Sequence, residues 1–136
     1  MVDITVTPGS VVQGAGANVE SGVAGATITA GQAVYLDATS GRYKLADSDS
    51  GTAAARTAKG IALNSASDGQ PLSIQVKGDI TIGATVVANT AYYLSNTAGG
   101  ICPLADVGAG EFMQLIGIGI SATQIRMGLL ATGVAN

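Results

Sequence analysis

Residues 25–41 read GATITAGQAVYLDATSG, and residues 83–99 read GATVVANTAYYLSNTAG. At an offset of 58, nine of the seventeen aligned pairs are identical: Gly25/Gly83, Ala26/Ala84, Thr27/Thr85, Ala30/Ala88, Ala33/Ala91, Tyr35/Tyr93, Leu36/Leu94, Thr39/Thr97 and Gly41/Gly99. The correspondence continues more thinly. Leu45-Ala46-Asp47 answers to Leu104-Ala105-Asp106 after one inserted residue, Lys59–Leu63 to Ile116–Ile120, and Ser73–Lys77 to Gln124–Gly128. A bias toward Ala, Gly and Thr inflates such matches, but the ordered Gly-Ala-Thr, Tyr-Leu and Leu-Ala-Asp blocks point to a duplicated unit. The chain therefore divides into an extended N-terminal arm, 1–24, and a β domain, 25–136, made of two repeats, 25–82 and 83–136.

Each repeat carries strand signals. Val34-Tyr35-Leu36 and Tyr92-Tyr93-Leu94 are β-favouring runs bounded by turn residues. Ser40-Gly41 and Gly99-Gly100 are tight-turn punctuation, which predicts hairpins returning through Tyr43–Leu45 and Ile101–Leu104. Pro103 donates no backbone hydrogen bond and belongs at an edge or strand end. Leu72–Lys77 alternates apolar and polar residues throughout, and Ile80-Thr81-Ile82 alternates as well. Leu115–Ile120 and Ile125–Leu130 are two further apolar strands, whose Gly117, Gly119 and Gly128 suggest close backbone approach or bulges. Helix signals are thin: Ser50–Lys59 predicts about two turns, Ala105–Met113 one. The expectation is an all-β fold, a small β-barrel or β-tulip/sandwich built from two related repeats. The predicted core includes Val34, Leu36, Leu45, Ile61, Leu63, Leu72, Ile74, Val76, Leu94, Leu104, Leu115, Ile118, Ile120, Ile125 and Leu129.

The first 24 residues lie outside the repeat. Asp3–Thr7 alternates, Pro8-Gly9 turns, and Val11-Val12 precedes Gly14-Ala15-Gly16-Ala17. With no helix signal and too little apolar mass for a core of its own, the segment reads as an extended arm. The other reading makes it the first strands of the same barrel.

Composition narrows the chemistry. The 136 residues include no His, so His-dependent triads, Cys-His pairs and imidazole metal sites are excluded. A lone Cys102 allows no intrachain disulfide, and its Gly-Ile-Cys-Pro-Leu setting reads as a small buried hydrophobe. Only six Lys and Arg against nine Asp and Glu, net -3, give no basic footprint for nucleic acid. Met1-Val2-Asp3 opens without a basic stretch or an apolar run, so no signal peptide is expected. The uncharged stretch 80–105 is interrupted by Thr, Asn, Ser, Pro and Gly, and reads as strands and turns rather than a membrane span.

Individual sites read as structure. Asp47-Ser48-Asp49-Ser50-Gly51 has the alternating carboxylates of a calcium loop, but the closing Glu position is Ala58, so a solvated turn is expected. Asp37 and Asp68 sit in turn contexts. Nothing marks a carboxylate pair for glycoside hydrolysis. Gly14-Ala15-Gly16 precedes no helix and makes no phosphate cradle. No catalytic, cofactor-binding or metal residues are assigned, and no enzyme activity is expected. Instead, 11 % charged residues cannot cover a small protein, and a Gly/Ala/Thr/Val exterior suits flat contact with other subunits. An uncharged arm suits ordering on a neighbour's sheet edge.

The pattern Ile28–Asp37, then Lys44–Asp47, then Lys59–Leu63, resembles small structural proteins of tailed bacteriophages, above all capsid decoration (cement) proteins. The likeness covers roughly residues 25–77, recurs in 83–130, and rests on composition rather than on a catalytic motif. It implies a β-barrel or β-tulip body with an extended arm, a homotrimer on the outer surface of the virion head, and the major capsid protein as partner. The chain would be made in the host cytoplasm and would clamp capsomers together, with no cofactor, nucleic acid or membrane involved. The alternative is a fibre or tail module binding a host surface or glycan, with Tyr43 or Tyr92 as its exposed aromatic site. Expected interface residues are Val2, Ile4, Val6, Val11, Val12 and Val19 on the arm. Leu129-Leu130 and Val134 serve either the core or a trimer seam.

Overall fold

The structure is a computed structural model that describes residues 3–135. It is all-β, 47 % strand, with no α-helix among the described residues, and its antiparallel sheet curls into a half-barrel. The strands are β1 (Val11–Gln13), β2 (Asn18–Val23), β3 (Ala33–Asp37), β4 (Arg42–Leu45), β5 (Gly60–Ala62), β6 (Pro71–Ile82), β7 (Ala91–Leu94), β8 (Ile101–Pro103), β9 (Phe112–Gly119) and β10 (Gln124–Ala135). They follow the order β4-β3-β5-β6-β10-β9-β7-β8, with β1 and β2 both paired to β6. That order is a palindrome in the repeats: β3, β4, β5 and β6 stand to one another as β7, β8, β9 and β10 do, and β6 meets β10 in the middle.

The registers carry the equivalence to single residues. Ala33 faces Ile61 and Val34 faces Gly60 in the first half; Ala91 faces Ile118 and Tyr92 faces Gly117 in the second. Val34 pairs with Leu45, and Tyr92 with Pro103. The offset of 58 therefore persists through both hairpins, so the structural counterpart of Leu45 is Pro103 rather than Leu104, and the offset becomes 57 at β5 and β9, where Gly60 answers to Gly117. Both hairpin loops place glycine in the left-handed region, Gly41 at φ 71 and Gly99 at φ 78, where a side chain would be strained. The turn before each hairpin does the same with Gly31 (φ 91) and Asn89 (φ 64). Their N–H groups donate to Ala62 O at 2.8 Å and Gly119 O at 2.7 Å. Asn at the second site fits its tolerance of this conformation.

The two predicted alternating segments, Leu72–Lys77 and Ile80–Ile82, form one strand. β6 bends at Gly78 (φ 93) and changes partners there, as strands do when they pass from one sheet to another. Residues 71–77 lie between β2 and β5; residues 78–82 lie between β1 and β10. The buried Gln75 holds the bend, its Nε2 donating to Lys77 O at 3.2 Å and Asp79 O at 2.8 Å. The half-barrel closes through the second hairpin loop: Ala33 N–H donates to Gly99 O at 2.9 Å, and Gly99 N–H to Ala46 O at 2.7 Å.

Two apolar clusters result. The larger lies between the halves and holds Ile61, Ile80, Ile82, Tyr92, Leu94, Ile101, Ile116 and Ile125; the smaller, inside the first half, holds Ile28, Val34, Tyr43, Leu72 and Ile74. Of the predicted core, Leu36, Leu104 and Ile118 are exposed. Leu36 occupies the position that buries Leu94 in the other half. The predicted helices shrink to short 3-10 turns, Ala53–Arg56 and Leu104–Asp106. Gly51-Thr52 before the first and Thr57 after it leave too few good helix formers for a second turn.

Candidate interaction surface

The arm lies along the body. Ile4 N–H donates to Ile101 O at 2.9 Å and Thr7 N–H to Gly83 O at 2.8 Å. Val11 then opposes Ile82, and β2 follows β6 from Asn18 opposite Lys77 to Val23 opposite Pro71. Residues 11–13 and 18–23 thus serve as the first strands of the sheet, with residues 4–7 tied to the body by single main-chain bonds. The physical reason is that β6 needs a partner on both edges, and this segment is the extended chain at hand.

That placement sorts the expected interface residues. Val2 lies outside the described residues. Ile4 and Val6 are half-buried against the larger cluster, and Val11 is buried in it. These three pack on the chain's own core. Val12, Val19, Leu130 and Val134 are exposed, Leu130 and Val134 most of all at 61 %. Val23, Leu36, Val87, Leu104 and Ile118, which were not expected on the surface, are exposed too. The exterior therefore carries branched aliphatics over many strands.

The charges occupy one another. Lys44 Nζ lies 2.9 Å from Asp37, Arg42 Nη1 3.0 Å from Asp68, Lys59 Nζ 3.8 Å from Glu20, and Arg126 Nε 2.9 Å from Asp79. Lys44 holds the Asp37 carboxyl below its ordinary range. Arg56 stacks over the Phe112 ring, 3.7 Å from its centroid. Such surface pairs contribute little stability each, and they take up eight of the fifteen charged side chains.

The buried polar groups are tied to the backbone. Glu111 accepts from Ser48 Oγ at 3.2 Å and from Gly108 N–H at 2.8 Å, which locks the first repeat's Asp47–Gly51 turn to the second repeat. Ser48 is buried, so this is no fully solvated turn. Burial, then neighbouring Asp49 and Glu111, hold the Asp47 carboxyl above its ordinary range. Gln114 brackets the Ala58 peptide, accepting its N–H and donating Nε2 to its carbonyl at 2.9 Å. Cys102 is free and buried, its thiol pushed up to about 12 by burial and by the charges of Asp3, Glu111 and Asp106. A thiol so poised is an inert hydrophobe at neutral pH. No group of three metal-ligating side chains occurs among the described residues.

Tyr43 and Tyr92 are both buried, and the Tyr92 hydroxyl accepts from Val87 N–H at 2.9 Å. Neither can stack on a sugar. Each sits where its strand needs bulk: Tyr43 fills the space above Gly22, at which a Cβ would collide with the ring. Sequence reasoning missed Glu111, Gln114 and Gln75 as buried groups. A signal existed in Phe112-Met113-Gln114-Leu115-Ile116, where one amide interrupts an apolar strand and must find a backbone partner once buried. No family model and no curated protein matches this chain. Among the described residues no helix is long and apolar enough to cross a membrane, which says nothing of a β-barrel.

Proposed function

We propose that this chain is a structural, non-catalytic assembly protein, and more finely a decoration protein that binds the outside of an icosahedral phage head and stabilises contacts between major capsid protein subunits. The observation that carries the reading is the exterior: exposed branched aliphatics on a body with few charged side chains. A surface of this kind suits broad, flat contact, since interface centres are depleted of charge. The resemblance of the Ile28–Asp37, Lys44–Asp47 and Lys59–Leu63 pattern to decoration proteins is what suggests the finer statement. Holding would be multivalent, with each copy bound weakly and many copies acting together.

The test is co-sedimentation of the purified chain with heads assembled from the major capsid protein of the same genome, in compact and expanded forms. Saturable binding to the expanded head is expected. Absence of binding to both forms would end the reading. The fibre or tail alternative keeps no aromatic site at Tyr43 or Tyr92, which are buried.

A further inference from the structure

We propose that the cavity beside Arg56 is a binding site for a carboxylate carried on an apolar stem, as an Asp or Glu side chain of the protein this chain holds would present it. Among the described residues, four of the six cations are ion-paired, and only Lys77 and Arg56 are not. Lys77 is exposed, whereas Arg56 is half-buried at the end of the 3-10 turn Ala53–Arg56. One face of its guanidinium lies over the Phe112 ring, 3.7 Å from the centroid, which fixes the plane of the group. A guanidinium carries five N–H donors around its edge. This one makes a single long bond, from Nη1 to Ser50 O at 3.5 Å. The edge that remains is a rigid fork whose geometry matches the two oxygens of a carboxylate.

The chain's own neighbouring carboxylates are engaged elsewhere. Asp47 accepts the Asp49 N–H at 3.1 Å, and Glu111 accepts from Ser48 Oγ and Gly108 N–H. Neither they nor Asp49 form an ion pair with Arg56. The charge of Arg56 is therefore unmatched within the chain, and its complement must come from outside.

The cavity selects the form of that complement. It encloses about 120 Å³, and its other walls are Ala53, Thr57, Phe112, Met113, Ala131 and Gly133. None of these is charged, and the Thr57 hydroxyl is donated to Ala53 O at 3.5 Å. A carboxylate on one or two methylenes gives the fork its oxygens and the walls an apolar stem. Leu130 and Val134, next in sequence to Ala131 and Gly133, are exposed. An arginine bordered by apolar side chains is the setting in which a partner's contact excludes water from the charge pair.

NMR titration of the full chain with sodium acetate tests this, against sodium chloride at equal ionic strength and with no head present. Saturable shifts confined to the Arg56 Nε–H and the amides of Thr57, Phe112 and Gly133 are expected. Arg56→Gln, which removes the charge, should weaken acetate binding at least about tenfold. Ala53→Leu, at an exposed site on the cavity wall, should weaken it as much by filling the space while leaving Arg56 in place. Shifts that chloride reproduces overturn the proposal. So does wild-type acetate affinity in Arg56→Gln or in Ala53→Leu. The inference rests on the proposed assembly role only for the source of the carboxylate, so the two fail separately: acetate binding without head binding ends the role, and head binding without acetate binding ends the site.

Discussion

At Gly117 the second half leaves no room for a side chain, because a Cβ would run into the carbonyl of Arg126; at Gly60 the first half does the same against the carbonyl of Gln75. Gly128 faces open space. Gly117→Ala is therefore expected to lower stability by about 1–3 kcal/mol, the range for forced overpacking, while Gly128→Ala stays within about 0.5 kcal/mol; urea melts of both decide it. Gly117 and Gly119 were readable as close approaches because glycines inside apolar strands have few other uses; Gly128 reads the same way and is open, since the bulge beyond Met127 is invisible in a residue pattern. Asp47 offers a pH test. Burial raises its folded pKa above its ordinary value, so the folded chain holds this proton more tightly than the unfolded one. Its contribution is then most favourable at low pH and declines as pH climbs from the ordinary carboxylate value through the raised folded one. Asp47→Asn, whose amide oxygen can still accept the Asp49 N–H, is expected to melt above wild type at pH 7, with the difference shrinking toward pH 3. A lower Tm at pH 7 would contradict this.

Equivalent elements do not bear equal loads. Leu94 is fully buried and its counterpart Leu36 is 41 % exposed. Leu94→Ala should cost about 2–5 kcal/mol, and Leu36→Ala less than about 1 kcal/mol; equal costs in chemical denaturation would refute the asymmetry. The arm makes the sharper element-scale test. Because β1 and β2 cover β6 and Val11 fills the core, deletion of residues 1–23 is expected to abolish the cooperative melt. A truncated chain that melts like the full one would mean that these strands are dispensable. Hairpins β3–β4 and β7–β8 were legible because a two-strand turn is written locally, in Ser40-Gly41 and Gly99-Gly100. The continuity of β6 was not, since Gly78-Asp79 looks like a break and only the side chain of Gln75, folded back onto its own strand, turns it into a bend. Nor was the docking of the arm, for which the pattern left two readings and the unsatisfied edge of a distant strand decides.

For the whole molecule, the duplication seen in the Gly-Ala-Thr and Tyr-Leu blocks already implied two like halves; the palindromic order of the sheet is their physical form. What residue patterns could not convey is how the halves join, because the β6–β10 seam and the Glu111 and Gln114 bonds across it are long-range. Of the residues expected at an interface, Val12, Val19, Leu130 and Val134 are exposed, while Ile4, Val6 and Val11 pack on the chain's own core, a long-range contact that residue patterns do not carry. The exterior that results has exposed branched aliphatics and few charges, which is the surface the proposed role calls for. The most direct measurement is the temperature at which expanded heads come apart, followed by light scattering as this chain is added to saturation. A rise that tracks occupancy is the expected result. Heads that bind the chain and come apart at the same temperature would contradict a clamping role.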